Sequence, residues 1–172
     1  MSRREVWAPL RHAGARVPWA WVRMLGAHGT LTREMNANLI AAHELTLTDY
    51  EVLLRLWTAP EVGLTRSDLA QSTLLTQGGI TRLLSGLERA GLVESASGET
   101  DRRVVYARLT EAGRKRFREA ARTHVRDITT MFTERFSSDE LATLADLLGR
   151  LPGKSPPAHV PRVPGAPPRR IG

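Results

Sequence analysis

Cysteine is missing altogether from this 172-residue chain, so disulfides, thiol catalysis and cysteine-based redox sensing are excluded. Aromatic residues make up only 5%, which leaves leucine, valine and alanine to fill the core that a hydrophobic content of 41% allows. No apolar run approaches the roughly 18 residues of a membrane span, and no secretory signal peptide opens the chain. A cytoplasmic protein with no membrane partner is expected. The five histidines, His12, His28, His43, His124 and His159, fall at no metal-ligand or triad spacing, and no phosphate-binding glycine loop carries a lysine. Metal, cofactor and enzymatic activity are therefore not expected.

Charge is present, but its location matters more than its sum. Residues 1–16 carry +3 and residues 152–172 carry +4, which together make the whole formal excess of +7. The body, residues 17–151, is formally neutral. Within it, residues 102–126 hold nine basic and two acidic side chains. Arg114, Lys115, Arg118 and Arg122 in that run read as a solvated helix face. Arg102 and Arg103, in the turn between two strand-like runs, read as phosphate or minor-groove contacts.

The stretch from Leu64 to Leu109 organises the chain. Thr65 followed by Asp68 is an N-cap signature, and Leu64 with Leu69 has the spacing of a hydrophobic staple. A second helix opens at Thr76, with Ile80, Leu83, Leu84 and Leu87 on one apolar stripe. Leu75 and Ile80 staple its start, and Gly91 stands where a left-handed C-cap is wanted. Its opposite face offers Gln77, Thr81, Arg82, Ser85 and Arg89, hydrogen-bonding groups with little bulk that suit a major groove. Two strand-like runs follow, Leu92–Ala96 and Arg103–Leu109, with Ser97-Gly98 as a turn signal between them. Two helices and a hairpin in this order make a winged helix-turn-helix.

Gln77 suits bidentate contact with adenine, and Arg82 suits guanine or a phosphate. Thr76, Ser67 and the leading helix amides suit phosphates. Gly78-Gly79 reads either as close approach to DNA backbone or as a tolerated soft helix start.

The flanks read as helices. Pro18 fits the first turn of a helix that runs to about His43, with Trp21, Met24, Leu25, His28, Leu31, Met35, Leu39 and Ala42 along one stripe. On that stripe His28 reads as a buried structural histidine, with a ligand-pocket or pH-sensing role as the other reading. Thr48 with Glu51 predicts a capping box, Leu47 with Val52 its staple, and the helix is expected to bury Leu53, Leu54, Leu56 and Trp57 before Pro60 ends it. Thr110 predicts the cap of a long helix through about Phe136, with Phe117, Ala121, His124, Ile128, Met131 and Phe132 on its apolar face. Ser137 and Glu140 restart the chain with another box, before Leu141, Leu144, Leu147, Leu148 and Leu151. So many leucines are too costly to leave wet, at about 1.5–3 kcal/mol each, and are expected to pack on the first helix and on a second copy. Residues 1–16 read as a loose basic arm and 152–172, which hold seven of the ten prolines, as a disordered basic tail.

The ordered set Leu69-Ala70, Ile80-Thr81-Arg82-Leu83, Leu87-Glu88-Arg89-Ala90-Gly91-Leu92-Val93, Asp101-Arg102-Arg103 and Leu109-Thr110-Glu111-Ala112-Gly113 resembles the multiple-antibiotic-resistance-regulator (MarR) family of winged-helix transcription factors. The resemblance covers roughly residues 17–151. It departs at Ser95, where the family often has an arginine at the base of the wing, and at Gly78-Gly79. It implies a mainly α (α+β) chain, with residues 47–109 as a winged helix-turn-helix domain and 17–46 with 110–151 as a helical dimerisation region. It implies a homodimeric repressor on a pseudo-palindromic duplex operator, released by a small-molecule effector. Under it Asp101 fixes Arg103 for the minor groove, and Trp21, Met24 and His28 line the effector pocket. A winged-helix protein–protein adaptor without sequence-specific DNA binding is the alternative reading.

Overall fold

The computed structural model describes residues 16–73, 75–97 and 104–151. A long helix, α1 (Arg16–His43), leads into α2 (Leu47–Trp57), a two-residue strand β1 (Leu64–Thr65), and the helices α3 (Arg66–Ser72) and α4 (Gln77–Arg89). Strands β2 (Val93–Ser97) and β3 (Val105–Leu109), then helices α5 (Glu111–Thr133) and α6 (Ser138–Gly149), complete it. The chain is mainly helical, with one small antiparallel sheet in the order β1-β3-β2.

Local sequence chemistry sets most of these boundaries. Thr65, Thr76, Thr110 and Ser137 cap α3, α4, α5 and α6 as expected, each accepting a backbone N–H three residues on. Such a cap satisfies an otherwise orphaned donor and contributes about 1 kcal/mol. At α3 the Thr65 hydroxyl, with its backbone amide second, holds the Asp68 carboxyl below the usual range. Helix α2 departs from expectation. Its cap is Thr46, closed by Asp49 in a reciprocal box, and not Thr48 with Glu51. Both pairs satisfy the Thr-x-x-acid pattern. The register two residues earlier places Leu45 before the cap and Tyr50 at the fourth helical position, and both are buried.

The core lies inside the lobe formed by α2, α3, α4, the sheet and the first half of α5. Leu53, Val52, Leu69, Ile80, Leu84 and Ala120 are among its most deeply buried side chains, and Leu39 of α1 reaches into the same core. Alternation along β3 buries Ala107 and Leu109 on one face and turns Arg108 out on the other, while Val105, on the buried face, is exposed at the strand's open end. Arg108 pairs at 2.7 Å with Glu94, its direct partner across β2. Both side chains are about half exposed, so this pair contributes little beyond about 1 kcal/mol. Trp57 is not buried as expected. It lies 37% exposed on the rim, its ring 5.2 Å from Phe117, and Tyr50 takes its place inside.

Two glycines fix how tightly the parts fit. A Cβ on Gly113 would lie 1.9 Å from the Leu92 carbonyl oxygen, so the start of α5 rests directly on backbone. Gly63, at φ +93, holds the chain against the Ala107 carbonyl and lets β1 pair with β3.

Helix α1 runs antiparallel along α5, tied by Asn38 to Asp127 at 3.0 Å and by His43 Nε2 to Thr123 Oγ1 at 2.8 Å. At its end Glu44 adopts a left-handed backbone, φ +55, the one described residue other than glycine to do so. Arg116 of α5 donates to the His43 carbonyl at 2.6 Å and lies 4.0 Å from the Glu44 carboxylate. Of the apolar stripe on α1, Leu39 alone is fully buried within one chain. His28 is exposed, which corrects its reading as a buried structural histidine. No residue of α6 is buried either, and Leu147, Leu148 and Leu151 are about half exposed. Among the described residues no helix is long and apolar enough to cross a membrane.

Candidate nucleic-acid interface

Helix α4 carries a sharp division between its faces. Ile80, Leu84 and Leu87 point into the core, with Leu83 partly covered. Gln77, Gly78, Thr81, Arg82, Ser85 and Arg89 are exposed. The 3.6-residue repeat places these polar positions on one continuous strip, opposite the buried stripe that fixes the helix.

The strip is open to a partner. The Thr76 hydroxyl accepts the Gly79 amide at 3.2 Å, and Thr81 donates to the Gln77 carbonyl at 3.0 Å. Arg82 and Arg89 rest their Nε groups on the carbonyls one turn back, Gly78 at 3.4 Å and Ser85 at 3.2 Å. Among the described residues no carboxylate lies within ion-pairing distance of either guanidinium, so their terminal nitrogens keep their donors. At Gly78 an added Cβ would meet nothing within 4 Å, which leaves the helix start bare of side chains on that side. Ser67 is exposed in the first turn of α3, the helix that packs against α4.

The sheet holds the wing beside the helix. Ser95 of β2 donates to the Glu88 carboxylate near the C-terminal end of α4. The position where the resembled family often has an arginine thus ties strand to helix through a neutral hydroxyl. Asp101, Arg102 and Arg103 lie outside the described residues, as do the arm at residues 1–15 and the tail at 152–172.

The three effector candidates share one side of α1. Trp21 is 57% exposed, Met24 is partly covered and His28 is exposed, so one chain alone does not enclose them. Sequence reasoning missed a different constellation at the α1–α2 joint, where Glu44, Arg116 and the C-terminal end of α4 converge. Its sole advance signal is Arg116 in the basic run. The His124 ring lies 4.5 Å from that of Tyr50, tilted 46° to it, and burial pushes its imidazole below the ordinary value, with Asp127 opposing. That agrees with its reading as structural.

Comparison with known proteins agrees with this architecture. Residues 43–104 match the MarR family model. The chain is similar to the solved structure of AbsC, a MarR family transcriptional regulator from Streptomyces coelicolor, at 30% identity and a TM-score of 0.68, over 76% of this chain and 88% of that one. It is 42% identical over 77 residues to the HTH-type transcriptional regulator TtmR of Methylorubrum extorquens, a match that spans 45% of this chain and only 38% of that protein. It is 27% identical over 124 residues to the HTH-type transcriptional repressor YetL of Bacillus subtilis, 70% of this chain and 74% of that one.

Proposed function

Since the chain belongs to the MarR family of winged-helix, DNA-binding transcriptional regulators, we propose that it acts as a homodimeric repressor of a pseudo-palindromic operator, released by a small-molecule effector. The observation that carries this reading is the two-faced α4, buried on Ile80, Leu84 and Leu87 and offering an unbroken polar strip from Gln77 to Arg89. Two such helices read successive major grooves about 34 Å apart. Gln77 reads adenine through its amide, Arg82 reads guanine or holds a phosphate, and Thr81 flanks them. Thr76 and Ser67 hold phosphates with the leading amides of their helices. The bare Gly78 lets backbone approach backbone. Arg102 and Arg103 reach phosphate and minor groove from the wing, Arg103 steadied by Asp101.

In this reading residues 47–109 are the DNA-binding domain, and residues 17–46 with 110–151 form the dimer. The half-exposed leucines of α6 and the exposed Trp19, Trp21 and Val22 of α1 support that division. Their apolar surface has no cover in one chain, and burying it in a dimer favours association by about 25 cal/mol per Å² removed from water. The repressor of Bacillus subtilis among the relatives supports the sign of regulation. Trp21, Met24 and His28 become a pocket wall once a second copy closes over α1, and an effector wedged there shifts the spacing of the two reading helices.

The test is a gel shift on the intergenic DNA upstream of the protein's own gene, repeated across salt. Gln77→Ala should weaken binding by about 1–3 kcal/mol, the worth of one bidentate base pair of bonds. Arg103→Ala should weaken it and flatten the salt dependence by roughly one counterion, with the dimer intact. Binding that ignores both substitutions removes the assigned readers, and absence of any salt-dependent binding favours the adaptor reading instead.

A further inference from the structure

Arg66 differs from the other arginines near the polar strip. Its residue is partly buried, and its Nε is sealed from solvent with no acceptor. Among the described residues its guanidinium makes no ion pair. Asp68, the carboxylate nearest to it in sequence, is already engaged, taking the Thr65 amide and hydroxyl on one oxygen at 3.0 and 2.7 Å. Arg82 and Arg89 rest on carbonyls one turn back, whereas Arg66 is the first residue of α3 and has no turn behind it. A sealed donor without an acceptor is costly, and folded proteins keep few of them.

The sheet gives Arg66 its place. Strand β1 is the outer strand beside β3, and Thr65 stands opposite Tyr106. The strands run antiparallel, so the chain leaves β1 at Arg66 on the level of Val105, the first residue of β3. That is the end of the sheet from which the wing extends, and Arg103 precedes Val105 by two residues. Ser67 follows Arg66 directly. The operator reading gives Ser67 a phosphate, and gives Arg102 and Arg103 phosphate and minor groove. Arg66 stands between these groups and has been given no role.

We infer that Arg66 is a further phosphate clamp of the DNA surface, gripping the backbone between the wing and α3 without reading a base. The inference rests on the operator reading and adds a residue to it. The sealed Nε means that the stem is packed against protein, so the fork is held in place before DNA arrives. Its two terminal nitrogens keep their donors, and a planar guanidinium matches two phosphate oxygens at once. A contact of this kind sets register and orientation and is indifferent to sequence. Arg55 shares the sealed Nε, but α2 carries no residue assigned to DNA.

The test is fluorescence anisotropy of the full-length protein on two labelled duplexes, the intergenic DNA upstream of its own gene and a scrambled copy, each across salt. Arg66→Gln should weaken binding to both by about tenfold, leave their ratio unchanged, and flatten the log–log salt slope by about 0.9 per protomer. Arg66→Lys keeps the charge and should keep the slope. Arg122→Gln removes the same charge from the solvated face of α5 and should leave the slope as it was. Arg66→Gln breaks no ion pair among the described residues, so its urea midpoint should match that of the unaltered protein. An unchanged slope in Arg66→Gln, equal flattening in Arg122→Gln, or a loss confined to the operator duplex overturns the clamp and leaves the operator reading standing. Absence of salt-dependent binding by the unaltered protein removes the operator reading and the clamp with it.

Discussion

Single residues carry the sharpest consequences. Gly113→Ala puts a methyl group 1.9 Å from a backbone oxygen that cannot swing aside, so α5 must shift off Leu92. A loss of at least about 2 kcal/mol in urea denaturation is expected. Gly86→Ala meets nothing, and its helix-interior position should gain up to about 1 kcal/mol in the same experiment. Neither sign could be read in advance, because both glycines stand in helical sequence and only their surroundings differ. His124 gives a pH signature. Burial against Tyr50, with Asp127 only partly compensating, lowers its folded value below the ordinary one of about 6.5. The unfolded chain therefore takes up the proton first as pH falls. The stabilisation is whole above about 6.5 and is lost as pH drops through that value toward the lower folded one. His124→Phe keeps a ring on Tyr50 and should flatten this dependence in denaturation curves taken from pH 8 to 5. An equal slope in both proteins would exclude His124 as its source.

At the level of elements, caps were the most legible features. Thr65, Thr76, Thr110 and Ser137 each mark the true start of a helix, because a hydroxyl three residues ahead of an amide is a local arrangement that needs no tertiary partner. Thr48 misled for the same reason. Two overlapping cap patterns are locally equivalent, and the burial of Leu45 and Tyr50 decides for Thr46. Strand β1 escaped notice since two residues cannot show an alternation, and its existence depends on Gly63 and on β3 more than forty residues away. For α4, Thr76→Ala should cost about 1 kcal/mol of stability and soften the start of the strip assigned to DNA. Operator affinity should then fall further than for Ser85→Ala, which leaves the cap in place. Equal affinities in a gel shift would separate helix order from recognition.

At the scale of the molecule, the leucines of α6 announced an uncovered seam, and the fold leaves them uncovered. What joins α1 to α5 was not legible. Asn38 meets Asp127 and His43 meets Thr123 across 89 and 80 residues of sequence, a distance over which no spacing rule operates. Replacing Leu147 and Leu148 together by lysine should turn the sedimenting species into a single copy and abolish tight operator binding while the lobe stays folded. A dimer that survives would place the seam elsewhere. The Glu44 backbone has a consequence of its own. A left-handed glutamate is about 1 kcal/mol costlier than a glycine in the same shape, and the corner between the long helix and the lobe is held in it by the Glu44 and Leu45 amides on the Ile40 and Leu39 carbonyls, with Arg116 as a further clasp on the His43 carbonyl. Arg116→Ala should therefore loosen the corner without unwinding it, and widen the swing of the long rod relative to the head it carries.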